Sequence, residues 1–75
     1  MKLTKKVMVN KIKEYVKVAR ENDKDLTRFY EINKIFAKNL EGRAFIHSKA
    51  TKEQIENLLL DMISYITNLI EKGTL

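Results

Sequence analysis

The side chains of this 75-residue chain that could do chemistry are mainly cationic, and they are concentrated at its start. Residues 1–20 hold seven basic residues against Glu14 alone, whereas the rest is nearly balanced and the whole chain carries a formal net charge of +5. Clustered cations attract anions and speed their encounter, whether these are nucleic-acid phosphates, acidic protein surfaces or anionic lipids. The chemistry that this pattern predicts is therefore anion binding.

Five of these cations share one side of a predicted first helix. At about 100° per residue they project within about 60° of one another. They form what we call the basic ridge: Lys2, Lys6, Lys13, Lys17 and Arg20. Two interpretations stay open, because the basic ridge is either an ordinary solvated helix face or a surface for an anionic partner. An acidic protein surface is the first partner that we expect, and nucleic acid is the second.

Residues that could support catalysis or bind a metal do not form a recognisable set. His47, the single histidine, lies beside Ser48 and could act as a base for a nucleophile, but nothing nearby completes a triad. Glu53 and Glu56 are predicted near the start of a helix, where carboxylates are stabilising. The chain has no cysteine, so thiolate zinc sites are excluded, and no glycine-rich phosphate loop. We expect no enzymatic activity, no cofactor and no metal.

The elements that would position the cations are three predicted helices, at about 4–21, 26–40 and 51–72, in one domain spanning residues 1–75. Residues 22–25 break the first helix, and Asp25 is the expected N-cap of the second, with Asn22 or Asp23 as alternatives. Gly42 is expected to end the second helix. Thr51 and Gln54 predict a capping box at the start of the third. For residues 43–50 the sequence leaves three alternatives: a loop, a helical turn or a strand-like segment.

The third helix has an unusually wide apolar face. Its apolar residues fall within about 160°, whereas a helix that faces one neighbour shows a stripe of about 100°. We therefore expect it to contact two elements. The sequence predicts an all-α fold, a small antiparallel three-helix bundle, with a dimer through the long C-terminal helix as an open alternative. The residues predicted to form the core or a self-interface are Asn33, Leu59, Met62, Ile63, Ile66 and Ile70.

Asn33 is the one polar member of that set. Helical spacing places it at the centre of the apolar face of the second helix, where an amide without partners is costly. The Tyr15 hydroxyl, or Asn33 of a second copy across a two-fold axis, would satisfy it. The alternative is an edge position where the amide reaches water.

These features favour a small non-enzymatic interaction protein that binds and modulates a larger macromolecule, of the kind that phages or plasmids encode as inhibitors or regulators. One alternative is a nucleic-acid-binding accessory protein that uses the basic first helix. Another is a bacteriocin-immunity-like helical protein, by analogy of class alone. No stretch approaches the ~18 apolar residues of a membrane span, and the start lacks the apolar run of a secretion signal. We therefore expect a cytoplasmic protein.

Overall fold

A computed structural model describes residues 4–74, in which three helices and one short β-hairpin follow one another. The elements are α1 (Lys5–Glu21), α2 (Thr27–Ile32), β1 (Phe36–Lys38), β2 (Ala44–Ile46) and α3 (Lys52–Glu71). The prediction of a mostly helical chain is confirmed. A three-helix bundle does not form, because α2 has only six residues and the hairpin occupies the rest of the predicted second helix.

The two long helices begin at the residues that the sequence predicts. Thr4 caps α1, its Oγ1 accepting the Val7 N–H at 3.2 Å. Thr51 and Gln54 form the expected capping box, in which the Gln54 N–H donates to Thr51 Oγ1 at 3.1 Å and the Thr51 N–H donates to Gln54 Oε1 at 2.9 Å. From this start α3 runs unbroken for 20 residues. Its length is therefore about 30 Å.

The turn between α1 and α2 is held by two aspartates. Asp23 adopts a left-handed conformation, with φ of 54°, and the Lys24 N–H donates to the Ala19 carbonyl oxygen at 2.8 Å. This pattern is a common helix C-terminus. The predicted N-cap is displaced by one residue, because Leu26 is the cap of α2. Asp25 still holds the helix start, since its Oδ1 accepts the N–H and the hydroxyl of Thr27, at 2.9 and 2.6 Å.

The predicted second helix is wrong from residue 33 onward, because two asparagines bond backbone groups that a helix would use. Asn33 is the C-cap of α2, and its Nδ2 donates back to the Phe29 carbonyl oxygen at 3.3 Å. Asn39 Oδ1 accepts the N–H groups of Glu41 and Arg43, each at 3.0 Å. Asparagine side chains favour turns in this way. Gly42 completes the turn with a φ of +78°, which suits glycine.

This turn joins the two strands of an antiparallel hairpin, in which Phe36 lies opposite Ile46 and Lys38 opposite Ala44. Of the three alternatives for residues 43–50, the strand-like one therefore applies to Ala44–Ile46. Leu40, which helical spacing places on an apolar face, is fully exposed at the tip of the hairpin. Ile35, which the same spacing places off the core, is buried in the turn that precedes β1.

The core lies mainly between α1 and α3, and α2 and β1 close it on one side. The Tyr65 hydroxyl bonds the backbone of Asp25, just after α1 ends, whereas Ile55, near the start of α3, shares a cavity with Lys5. The two helices therefore run in the same direction, as the first and third helices of an antiparallel three-helix bundle also do. The buried residues are Met8, Ile12, Val16, Ala19, Leu26, Phe29, Ile35, Phe36, Ala50, Ile55, Leu58, Leu59, Met62 and Ile66.

The long helix α3 contacts two elements, α1 along its length and α2 through Tyr65. The Tyr65 ring meets Phe29 edge-on, with centroids 5.3 Å apart and an interplanar angle of 75°. The buried face is narrower than the sequence predicts, since Ile63 and Ile70 are 37% and 61% exposed. Within residues 4–74, no helix combines the length and apolar character needed to cross a membrane.

Candidate binding groove

A groove runs between α1 and β2, beside the basic ridge. It consists of two open cavities of about 570 and 580 Å³. The cavities share Lys13 and the three residues of β2, so they adjoin each other along α1, and we call the two together the basic groove. Its basic lining residues are Lys5, Lys6, Lys13, Lys17, Arg20 and Arg43.

Most of the basic ridge lies on the rim of this groove. Lys6, Lys13, Lys17 and Arg20 are exposed on α1 and line the cavities, whereas Lys2 lies outside the described residues. The structure thus brings the four described ridge residues to one concave surface, as helical spacing predicts for a single helix.

Arg43 belongs to the same rim and is absent from the sequence-based set. It follows the turn at Gly42 and reaches the groove only because the hairpin folds back toward α1. No helical period connects Arg43 with the cations of α1. The turn residues Asn39 and Gly42 were the available signal, since they indicate a hairpin between two apolar pairs.

The floor of the groove is apolar. Ile12 and Val16 come from α1 and Phe36 comes from β1, and all three are at least 92% buried. Ile46 of β2 is half-buried beside them. A ligand seated in the groove would therefore meet apolar side chains below and cations at the rim.

The charge of the rim is strongly one-sided. Among the described residues that line the two cavities, Glu21 is the single acid, and it pairs with Lys17 at 3.9 Å. This pair is exposed on both sides, so it neutralises Lys17 only weakly. In the described part of the chain, Lys13, Arg20 and Arg43 form no ion pair with an acid. The rim thus offers several cations to an anionic partner.

Two aromatic rings lie beside the groove, Phe45 where the two cavities meet and His47 along one of them. Phe45 of β2 is 38% exposed, and the His47 ring tilts against it with centroids 5.7 Å apart. The His47 N–H donates to the Ile35 carbonyl oxygen at 2.8 Å, which continues the hairpin. His47 is therefore placed as a rim residue packed on an aromatic ring.

The residues predicted for the core or a self-interface separate into two groups. Leu59, Met62 and Ile66 are buried between α3 and α1. Ile63 and Ile70 are exposed, and with Leu60, which is 56% exposed, they form an apolar stripe on the outer side of α3.

Asn33 belongs to neither group. Asn33 is half-buried at the end of α2, and its Nδ2 donates to the Phe29 carbonyl oxygen of its own helix and not to Tyr15, which fits the edge position that the sequence left open. Pairing with Asn33 of a second copy stays a prediction.

No family model, curated protein or solved structure matches this chain. Its activity must therefore be inferred from the shape and charge of the basic groove.

Proposed function

We propose that this protein is a non-enzymatic binding protein whose basic groove holds an acidic segment of a larger protein and thereby modulates it. The observation that carries the proposal is the combination of an apolar floor with a cationic rim. Six basic residues and one acidic residue line the two cavities, above Ile12, Val16 and Phe36. Charge at such a rim steers an oppositely charged partner, whereas apolar contact with the exposed Phe45 ring and the half-buried Ile46 adds affinity.

The apolar floor favours a protein segment over nucleic acid. A phosphate backbone gains most of its affinity from cations and obtains nothing from Ile12 or Val16. A peptide carries both carboxylates and apolar side chains, so it can use the rim and the floor together. The cytoplasmic location and the role as an inhibitor or regulator stay parts of this proposal.

The test compares two double variants with equal change in charge. Lys13→Glu/Lys17→Glu alters the groove, and Lys34→Glu/Lys49→Glu alters exposed lysines that line neither cavity. Binding of a glutamate- and valine-rich peptide is measured by fluorescence anisotropy at about 0.15 M salt, where distant charges are largely screened. We expect the groove variant to lose at least about tenfold in affinity, equal to about 1.4 kcal/mol, and the control much less.

Equal loss in the two variants would show that net charge, and not the groove, attracts the peptide. No detectable binding by the unaltered protein would overturn the proposal outright. Circular dichroism of each variant checks that the fold survives, since all four lysines are exposed.

A nucleic-acid-binding accessory role is the second candidate, and one observation favours it. Phe45 and His47 present rings beside Lys5, Lys6 and Lys13. Exposed aromatic rings among cations are typical of surfaces that stack single-stranded bases. If five phosphates are neutralised, the log–log salt slope should be about −3.5 to −4.5. A gel-retardation assay at low salt that shows no shift with single- or double-stranded nucleic acid would exclude this role.

Dimerisation through α3 stays a proposal. It is supported by the exposed stripe of Leu60, Ile63 and Ile70, because apolar side chains grouped on one face are typical of interfaces. Light scattering across a concentration series tests it, and a monomer mass throughout would overturn it. No feature of the structure specifically favours a bacteriocin-immunity-like role, which stays a prediction from composition alone.

A further inference from the structure

The backbone of β2 has an open edge, and this edge faces the basic groove. The hairpin register places Phe36 opposite Ile46, Ala37 opposite Phe45 and Lys38 opposite Ala44. Beyond these pairs, the His47 N–H donates to the Ile35 carbonyl oxygen at 2.8 Å, and the Asn39 N–H donates to the Arg43 carbonyl oxygen at 2.9 Å.

These two bonds determine which backbone groups point outward. In an antiparallel pair, directly opposed residues alternate between hydrogen-bonded and non-hydrogen-bonded positions. The Ala37–Phe45 pair therefore bonds across the hairpin, and the N–H and C=O groups of Ala44 and Ile46 point away from β1. No hydrogen bond joins these outward groups to another residue in the part of the chain that the structure describes.

The outer edge of β1 is better protected. The Phe36 N–H donates to the Asn33 carbonyl oxygen at 3.0 Å, which closes that edge at its start. The Phe36 ring stacks on Tyr30 at 4.6 Å, and Lys38 Nζ lies 5.2 Å from the centroid of the Tyr30 ring. Lysine on an edge strand also discourages pairing. The edge of β2 has no such protection, since the residues whose backbone groups point outward there are Ala44 and Ile46.

The space beside the β2 edge has the form that an added strand needs. A strand pairs about 4.8 Å away and alternates its side chains between two faces. On one face, side chains would meet the apolar floor at Ile12 and Val16. On the other, they would lie near the exposed Phe45 ring, within reach of the cations on the rim.

We propose that the acidic partner segment binds in an extended conformation, as a third strand on the free edge of β2, with apolar and acidic residues alternating along it. This inference rests on the proposed function and specifies how the groove binds its partner. Main-chain hydrogen bonds to Ala44 and Ile46 supply affinity, and the alternating side chains supply selectivity. Lys13, Lys17, Arg20 and Arg43 select for carboxylates.

The test uses a short capped peptide of alternating valine and glutamate and two matched derivatives. One derivative is N-methylated at every valine and the other at every glutamate, so charge and side chains stay the same. Only one set of N–H groups can face β2, so one derivative should lose about tenfold or more in affinity while the other stays much closer to the parent peptide.

Amide hydrogen exchange supplies a second measurement. On saturation with the unmethylated peptide, exchange at Ala44 and Ile46 should slow by about tenfold or more, because the new bonds must open first. The Lys38 amide, which points outward from the other edge, serves as the internal control and should not change.

The outcomes separate this inference from the function on which it rests. If the peptide binds but the two methylated derivatives weaken equally and exchange at Ala44 and Ile46 is unaltered, the groove binds acidic chains without strand addition. A glycine- and glutamate-rich peptide of equal charge that binds as tightly as the alternating one would also overturn strand addition. If none of these peptides binds, the proposed function fails as well.

Discussion

The Tyr65 hydroxyl donates a hydrogen bond to the Asp25 carbonyl oxygen at 3.2 Å and so joins α3 to the turn that follows α1. The same ring packs edge-on against Phe29 of α2. Tyr65 thus connects the long helix to the segment that returns the chain toward the hairpin. Through Tyr65, α3 contacts a second element.

Replacing Tyr65 should separate these two contributions. Tyr65→Phe removes only the hydroxyl, and we expect the free energy of unfolding to fall by about 1 kcal/mol. Tyr65→Ala also removes the ring contact with Phe29 and should cost about 3 kcal/mol. Urea unfolding followed by circular dichroism measures both. Equal losses in the two variants would show that the ring contact adds nothing.

Met62 tests the packing between α3 and α1. It is 1% exposed, so Met62→Lys would bury an unpaired charge and should cost more than about 4 kcal/mol, enough to unfold a chain of this size. Leu40→Lys is the matched control, because Leu40 is fully exposed at the tip of the hairpin and belongs to no proposed interface. It should change stability by less than about 0.5 kcal/mol. A Met62→Lys protein with an unaltered thermal melt would contradict the core described above.

Asp23 should be a position where glycine stabilises the fold. Its φ of 54° is unfavourable for most side chains and is readily adopted by glycine. We expect Asp23→Gly to raise the free energy of unfolding by about 0.5 kcal/mol, and Asp23→Val to lower it by about 1 kcal/mol or more. Opposite signs in paired urea titrations would support the left-handed turn. Equal effects would argue against it.

Asp25 should contribute a pH dependence in the acid range. The hydrogen bond from the Thr27 hydroxyl, followed by that from the Thr27 N–H, lowers the pKa of the Asp25 carboxyl below its ordinary value. A carboxyl with a lowered pKa stabilises the fold above its unfolded-state pKa, near 3.9, and this contribution is lost as the pH falls through the folded-state pKa.

NMR titration of Asp25 in Thr27→Ala is the direct measurement. This variant loses the hydroxyl bond and keeps the backbone N–H, so the Asp25 pKa should rise partway toward its ordinary value. An unchanged pKa in the variant would assign the lowering to another group.

The two long helices were predictable because several local signals agree there. Met8, Ile12 and Val16 recur at helical spacing, and Thr51 with Gln54 forms a capping pattern within one turn. Such signals depend on neighbours in the sequence, so they remain valid without knowledge of the fold. The breadth of the α3 face was overestimated, because hydrophobicity alone cannot show that Ile63 and Ile70 face outward.

The hairpin could not be predicted in the same way. Phe29, Phe36 and Leu40 also fit a helical period, whereas the signals that favour the turn are single residues, Asn33, Asn39 and Gly42. One side of the basic groove could be predicted from local signals, and the other side could not. Its α1 rim follows from helical spacing, whereas Arg43 and the open edge of β2 depend on long-range pairing and on the common direction of α1 and α3.

That common direction has a practical consequence for anyone labelling the molecule. Residue 4 lies at the end that holds Lys5 and Lys6, whereas residue 74 follows α3 and lies about 30 Å away. A fluorophore or affinity tag attached upstream of Thr4 would lie near the end of the basic groove that Lys5 and Lys6 line, where it would obstruct the proposed partner. One attached downstream of Thr74 would leave that end clear and is the better handle for immobilisation.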